Sequence, residues 1–154
     1  TINGIEFTLQ SEINSESGID YPMSITYTST NATFDNTFSS DFWGEVTSGM
    51  DIPGLPNSQI AVRGGFVTNQ GWLGDVTLYS YGNTCSVAGC SPGTEIDSYT
   101  VVDLSLSKQF NENIDIYLKV ENITDEKDIV ARAPKNGARA QKPRSTTVGI
   151  RFRL

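Results

Sequence analysis

Seven stretches of this chain alternate apolar and polar residues with a period of two, which restricts each of them to β-strand. The first runs from Ile2 to Ile13, with Ile5, Phe7 and Leu9 against Glu6, Thr8 and Gln10. From about Pro22 to Phe34, Met23, Ile25 and Tyr27 face away from Ser24, Thr26 and Thr28. Ser58 to Thr68 sets Ile60, Val62 and Phe66 against Ala61, Arg63 and Gly65, and Gly71 to Gly82 sets Trp72, Val76 and Leu78 against Asp75, Thr77, Tyr79 and Tyr81. Ser98 to Phe110 carries Val102, Leu104, Leu106 and Phe110 on one face; Asn113 to Thr124 carries Ile114, Ile116, Leu118 and Val120. The chain closes on Thr146-Thr147-Val148-Gly149-Ile150-Arg151-Phe152-Arg153-Leu154, alternating to the last residue although termini usually fray.

The connections fall into two classes. Asn14 to Tyr21, Asn69 to Gln70 and Asn111 to Glu112 are short, whereas Asp35 to Asn57, Asn83 to Asp97 and Asp125 to Ser145 are long. Short and long follow one another strictly. A β-sandwich has no reason to sort its loops this way, but an outer-membrane barrel puts short turns at the periplasmic rim and long loops outside. Runs of about 10 to 13 residues suit a tilted membrane crossing better than a sandwich strand of about 5 to 6. Trp72, Phe110 and Phe152 lie on the apolar face beside short turns or the C-terminus, where an aromatic girdle would sit, and Lys108 is near enough to a turn to snorkel. The expected fold is all-β: an antiparallel transmembrane barrel segment. Because an open edge in lipid exposes unpaired backbone at several kcal/mol per group, seven strands need further strands upstream. The start at Thr1, inside a pattern and without a start-like segment, also suggests a piece of a longer chain. The rival is a soluble, secreted β-sandwich that binds carbohydrate or a protein partner.

Composition narrows the chemistry. With 18 acidic and 11 basic residues, the chain lacks the basic footprint that phosphate backbones require, so nucleic acid is not an expected partner. It has no histidine, which removes the usual general base and zinc ligand, and its carboxylates are scattered through turns and strand faces. No enzyme and no cofactor are implied; a glycosidase-like carboxylate pair converging in one pocket would be needed to revive catalysis. Cys85 and Cys90, in C-S-V-A-G-C, suggest a loop disulfide worth about 2 kcal/mol and an oxidising compartment; two free thiols are the other reading. Arg132, Lys135, Arg139, Lys142 and Arg144 fall in one acid-free stretch of the last long connection. They could attract an anionic ferric chelate, pair with acids of the barrel wall or plug, or bind lipopolysaccharide phosphates.

Several stretches also resemble a known family as a set: Ile52-Pro53-Gly54-Leu55-Pro56, then Ser98-Tyr99-Thr100-Val101-Val102-Asp103-Leu104, then Val120-Glu121-Asn122-Ile123-Thr124-Asp125-Glu126, then the terminal strand. In this order they are similar to the C-terminal third of TonB-dependent outer-membrane receptors. Ile129-Val130-Ala131-Arg132-Ala133-Pro134 and Gly137 to Arg144 most resemble the ferric dicitrate receptor type. The resemblance implies that residues 1–154 are the last seven strands of a 22-stranded barrel in the bacterial outer membrane, with the plug domain outside this segment. It also implies import of a ferric siderophore-type ligand such as ferric citrate, TonB contact through the missing N-terminal region, and lipid and lipopolysaccharide around the wall. The terminal Leu154, where such barrels usually end in an aromatic, and Asp128, where an aromatic is common, depart from the pattern, and the cysteine loop is not a general family feature.

Overall fold

A computed structural model describes residues 1–132 and 137–153. In chain order the strands are β1 (Ile2–Asn14), β2 (Ile19–Ala32), β3 (Phe38–Ser40), β4 (Gly44–Val46), β5 (Ser58–Thr68), β6 (Trp72–Tyr81) and β7 (Thr84–Cys85). They continue with β8 (Glu95–Ile96), β9 (Tyr99–Gln109), β10 (Ile114–Glu121), β11 (Ile129–Ala131), β12 (Arg139–Ala140) and β13 (Ser145–Phe152). The seven long strands form one antiparallel sheet in the order β1-β2-β5-β6-β9-β10-β13, each beside its sequence neighbour. The remaining six pair as two-stranded ribbons, β3 with β4, β7 with β8 and β11 with β12, inside the three long connections.

Register assigns the two faces. Phe7 pairs with Tyr27 and Leu9 with Ile25; Ile25 pairs in turn with Val62, Val62 with Leu78, and Leu78 with Val102. Leu106 pairs with Leu118, and Leu118 with Val148. Because cross-strand partners share a face, these rows merge into one apolar surface. None of the described residues outside the sheet covers it: Ile5 is 72% exposed and Val148 69%. The buried hydrophobic residues among those described are Ala32, Val46, Val87 and Ile96, all at the long-loop end. A sandwich would divide the long strands between two sheets and bury this surface between them, which is not the arrangement seen.

The opposite face is polar, and its basic residues Arg63, Lys119, Arg151 and Arg153 are each paired with an acid. Arg63 meets Asp75, which also accepts a 2.7 Å bond from the Ser105 hydroxyl. Lys119 and Lys142 hold Glu121 at 3.0 and 2.6 Å. Arg153 and Arg151 flank Asp115 at 3.0 and 3.6 Å, and the Arg151 guanidinium lies over the Tyr117 ring, 5.7 Å from its centroid. Tyr117 also lies across Gly149, its cross-strand partner, where a β-carbon would collide with the ring.

The short turns are tight for identifiable reasons. Gly18 and Gly71 sit at φ +79° and +84°, left-handed backbone that glycine adopts without steric cost. The side chain of Asn111 accepts from the main-chain N–H groups of Asn113 and Ile114, both at 2.9 Å. The second strand begins at Ile19, ahead of the expected start at Pro22. Proline is accepted there because the β1–β2 pairing continues through Glu12 and Pro22, and the turn contracts to residues 15–18. The sixth alternating run stops at Glu121, short of Thr124, because Asn122 turns left-handed at φ +51°.

Candidate functional site

The three long connections gather at one end of the sheet. In the first, Phe34, Phe38, Phe42 and Trp43 cluster around the β3–β4 ribbon. The Trp43 ring centroid is 5.2 Å from that of Phe34, 6.5 Å from Phe38 and 5.8 Å from Phe42, in tilted or edge-on arrangements. Such pairs add about 0.5–1.5 kcal/mol beyond area burial, so the aromatics organise a connection that has little else to pack. Val46 at the end of β4 is 1% exposed.

Main-chain bonds couple this connection to the next one. The N–H of Gly54 donates to the carbonyl of Cys85 at 2.8 Å, and that of Ala88 to the carbonyl of Trp43 at 3.2 Å. Cys85 and Cys90 form a disulfide with Cα atoms 5.4 Å apart. Cys90 at φ +53° completes the narrow loop, closed further by the Ser86 N–H on the carbonyl of Thr94. Glu95 stays ionised readily: its own main-chain N–H, then those of Gly93 and Thr94, hold its carboxyl below the usual carboxylate range, and Arg132 adds attraction.

Between the aromatic ribbon and the last connection, a cleft of about 440 Å3 opens on the polar side of the sheet. Phe42 and Trp43 line it from the first long connection, Tyr81 and Tyr99 from the sheet, and Arg132 from the last connection. Tyr81 and Tyr99 are cross-strand partners whose rings stack with centroids 4.8 Å apart at 25°. Arg132 uses its Nε to donate to the carbonyl of Glu95 at 2.7 Å.

The four described basic residues of this stretch do not form a single patch. Lys142 reaches the wall acid Glu121. The Arg144 guanidinium lies 3.5 Å from the carbonyl of Ile123, while its main-chain N–H donates to Asp125 at 3.0 Å. Arg139 is exposed on β12 with no ion pair among the described residues. Arg132 alone borders the cleft, and Lys135 lies outside the described residues. At the other end, Trp72 pairs with Lys108 and Ile114 with Phe152, on the apolar face. The Lys108 ammonium sits 5.3 Å from the Trp72 centroid and 6.0 Å from that of Phe110, and donates to the carbonyl of Gln70.

Asn122 is the residue whose role the sequence concealed. It is 2% exposed. Its amide nitrogen donates to the carbonyls of Glu126 and Lys142 at 3.0 and 2.8 Å, and its amide oxygen accepts from the Glu126 N–H at 3.1 Å. Its main-chain N–H donates to Asp103 at 2.9 Å. Both ends of the last connection are thereby tied to β9. The usable signal was an asparagine directly after a strand, a residue type that tolerates left-handed backbone.

Asp125 adds a second tie. Its carboxyl is held below the usual range chiefly by the Arg144 N–H, with help from the charges of Lys127 and Arg144. A depressed folded-state pKa means that the contribution is present above the ordinary carboxylate pKa and is lost as pH falls through the lowered one. Asp125→Asn should therefore speed protease cleavage of the last connection at neutral pH. The difference from the parent should shrink below about pH 4, measured with an acid-active protease. A difference that persists unchanged at low pH would exclude the carboxylate as its source.

A family profile described as "TonB dependent receptor-like, beta-barrel" matches residues 1–123. No curated protein matches the sequence. Among solved structures, the ferric-catecholate import receptor Fiu from K12 E. coli, in a closed form, is similar over 98% of this chain, with a TM-score of 0.73 and 19% identity. The siderophore receptor PiuA from Acinetobacter baumannii is similar over 98%, with a TM-score of 0.71 and 16% identity. The ferric yersiniabactin uptake receptor FyuA from Yersinia pestis is similar over 97%, with a TM-score of 0.54 and 19% identity. This chain spans 20%, 21% and 29% of those three chains, and at such identities the likeness concerns the fold.

Proposed function

Since the chain belongs to the TonB-dependent receptor-like β-barrel family, we infer that residues 1–154 form the C-terminal wall of a 22-stranded outer-membrane receptor that imports a ferric chelate. In this reading the apolar face meets lipid and the polar face lines the lumen. The plug domain and the segment that TonB pulls lie elsewhere in the full protein. Ferric citrate or a related anionic siderophore is the ligand, drawn to the cationic side chains at the long-loop end. Trp72, Phe110 and Phe152 form the periplasmic-side girdle, and lipopolysaccharide surrounds the outer rim.

One observation carries this reading: among the described residues, a single seven-stranded sheet leaves its apolar face uncovered, while Arg63, Lys119, Arg151 and Arg153 of its other face are paired with acids. In water that arrangement exposes a large apolar patch. In a bilayer with a hydrated lumen, both faces are satisfied.

The test uses the full-length protein in its native host. It should fractionate with the outer membrane, shift gel mobility on heating, and support uptake of iron-55 from citrate that stops when TonB is deleted. Release into the soluble fraction without detergent would overturn the barrel reading, and uptake unaffected by TonB loss would overturn the energised-import reading.

A further inference from the structure

We propose that Lys108, held against Trp72 and Phe110 at the short-turn rim, is a binding site for the phosphodiester headgroup of an anionic phospholipid. The inference rests on the barrel reading and gives one lipid class one place on the wall, in the leaflet away from the long loops.

Charge placement is the first observation. On the apolar face of the seven long strands, Lys108 is the one Asp, Glu, Lys or Arg among the described residues; the other charged strand residues lie on the polar face. The basic residues of that polar face each meet an acid, whereas Lys108 has no ion pair among the described residues. A cation that faces lipid is tolerated near an interface, and Lys108 lies beside the turn at Asn69 and Gln70.

The second observation is how the ammonium is held. The cross-strand partners of Lys108 on the same face are Trp72 and Ile116. Its Nζ sits 5.3 Å from the Trp72 ring centroid and 6.0 Å from that of Phe110, and donates to the carbonyl of Gln70. Two rings and a turn carbonyl thus fix a cation that would otherwise extend freely into water. An ammonium carries three donors. One is spent on Gln70, and neither a ring nor a carbonyl neutralises the charge. The indole N–H of Trp72 also has no hydrogen-bond partner among the described residues.

Ligand chemistry follows from this remainder: unspent donors and a full positive charge where apolar surface gives way to water. A lipid phosphodiester supplies oxygens for charge-assisted hydrogen bonds while its acyl chains cover the neighbouring apolar face. Free phosphate would satisfy the cation and leave that face bare. A zwitterionic headgroup brings its own cation, which the Lys108 ammonium repels, so a headgroup with net negative charge is preferred.

The test uses full-length receptor in a non-ionic detergent and native mass spectrometry with two lipids of identical acyl chains, phosphatidylglycerol and phosphatidylethanolamine. The parent should hold phosphatidylglycerol about fivefold more tightly. Lys108→Gln should abolish that preference and Lys108→Arg should keep it. Lys127→Gln, in the last long connection at the opposite rim, should leave it unchanged. Heat-modifiable mobility checks that each variant folds. Equal binding of the two lipids by the parent, an unaltered preference in Lys108→Gln, or an equal loss in Lys127→Gln would overturn the site. Displacement of bound phosphatidylglycerol by millimolar inorganic phosphate would reveal a free-phosphate site and overturn the lipid assignment. A parent that is soluble without detergent and lacks heat-modifiable mobility would sink the barrel reading; a heat-modifiable parent without the lipid preference would sink the headgroup site alone.

Discussion

Replacing Leu118 with arginine is expected to cost roughly 2–4 kcal/mol in a bilayer, whereas Ile114→Arg should cost only about 0–1 kcal/mol. Both side chains belong to β10 and to the apolar face, where Leu118 pairs with Leu106 and Val148, and Ile114 with Phe152. They differ in depth. Leu118 lies mid-strand, whereas Ile114 begins the strand at the short-turn rim, from which a long cation can reach water. Thr77→Arg is the control on the polar face, where its cross-strand partner is Asp103, and it should fall within about 0.5 kcal/mol of the parent. The measurement is the urea midpoint of folding into lipid vesicles. The gradient discriminates: a core buried in protein would penalise both apolar-face arginines heavily, and equal penalties would rule out lipid as the neighbour of this face.

Asn122→Ala should produce the other large effect, about 3–5 kcal/mol. Truncation leaves the carbonyls of Glu126 and Lys142 and the N–H of Glu126 without their partner, all around a residue 2% exposed. It also forces alanine into φ +51°, which costs about 1–2 kcal/mol. Asn122→Gly separates the contributions, because it removes the backbone strain and keeps the loss of bonds; it should recover about 1 kcal/mol of the deficit. The expected signature is local. Protease cleavage between residues 125 and 145 should accelerate far more than global unfolding, since the ties run from that connection to the sheet. A uniform loss across all loops would show that Asn122 supports the sheet and not the last connection.

The sheet was legible because its information is periodic. Ser58–Thr68 is read from the alternation of Ile60, Val62 and Phe66 with the same bounds that the structure has, and each other long strand differs only at its ends. Those ends are set by single residues that periodicity does not report: Pro22 tolerated inside a strand, Asn122 turning left-handed after one. The long connections were not legible in the same way. Their ribbons, of two or three residues per strand, are too short to display a period, and they form because aromatic contacts and crossing main-chain bonds hold them. Clustering in sequence does not translate into one charged patch among the described residues, and of the readings open for these side chains Lys142 takes the pairing with a wall acid. Arg132, Lys142 and Arg144 are close along the chain, yet each is directed to a different partner: the carbonyl of Glu95, the carboxylate of Glu121 and the carbonyl of Ile123. Conversely, Trp43, Tyr99 and Arg132 are far apart in sequence and border one cleft.

None of the six pairings in the seven-stranded sheet slips out of register. The sheet therefore behaves as a reading frame of two. Losing or gaining one residue inside a strand would turn every later side chain of that strand to the opposite face, exchanging Leu104 and Leu106 for Asp103 and Ser105 in a single event. Paired indels conserve the frame, as do changes of any length confined to the long connections. Descendants of such a chain can thus vary the length of three loops at one end of the sheet, while the strands between them change by substitution or by paired insertions and deletions.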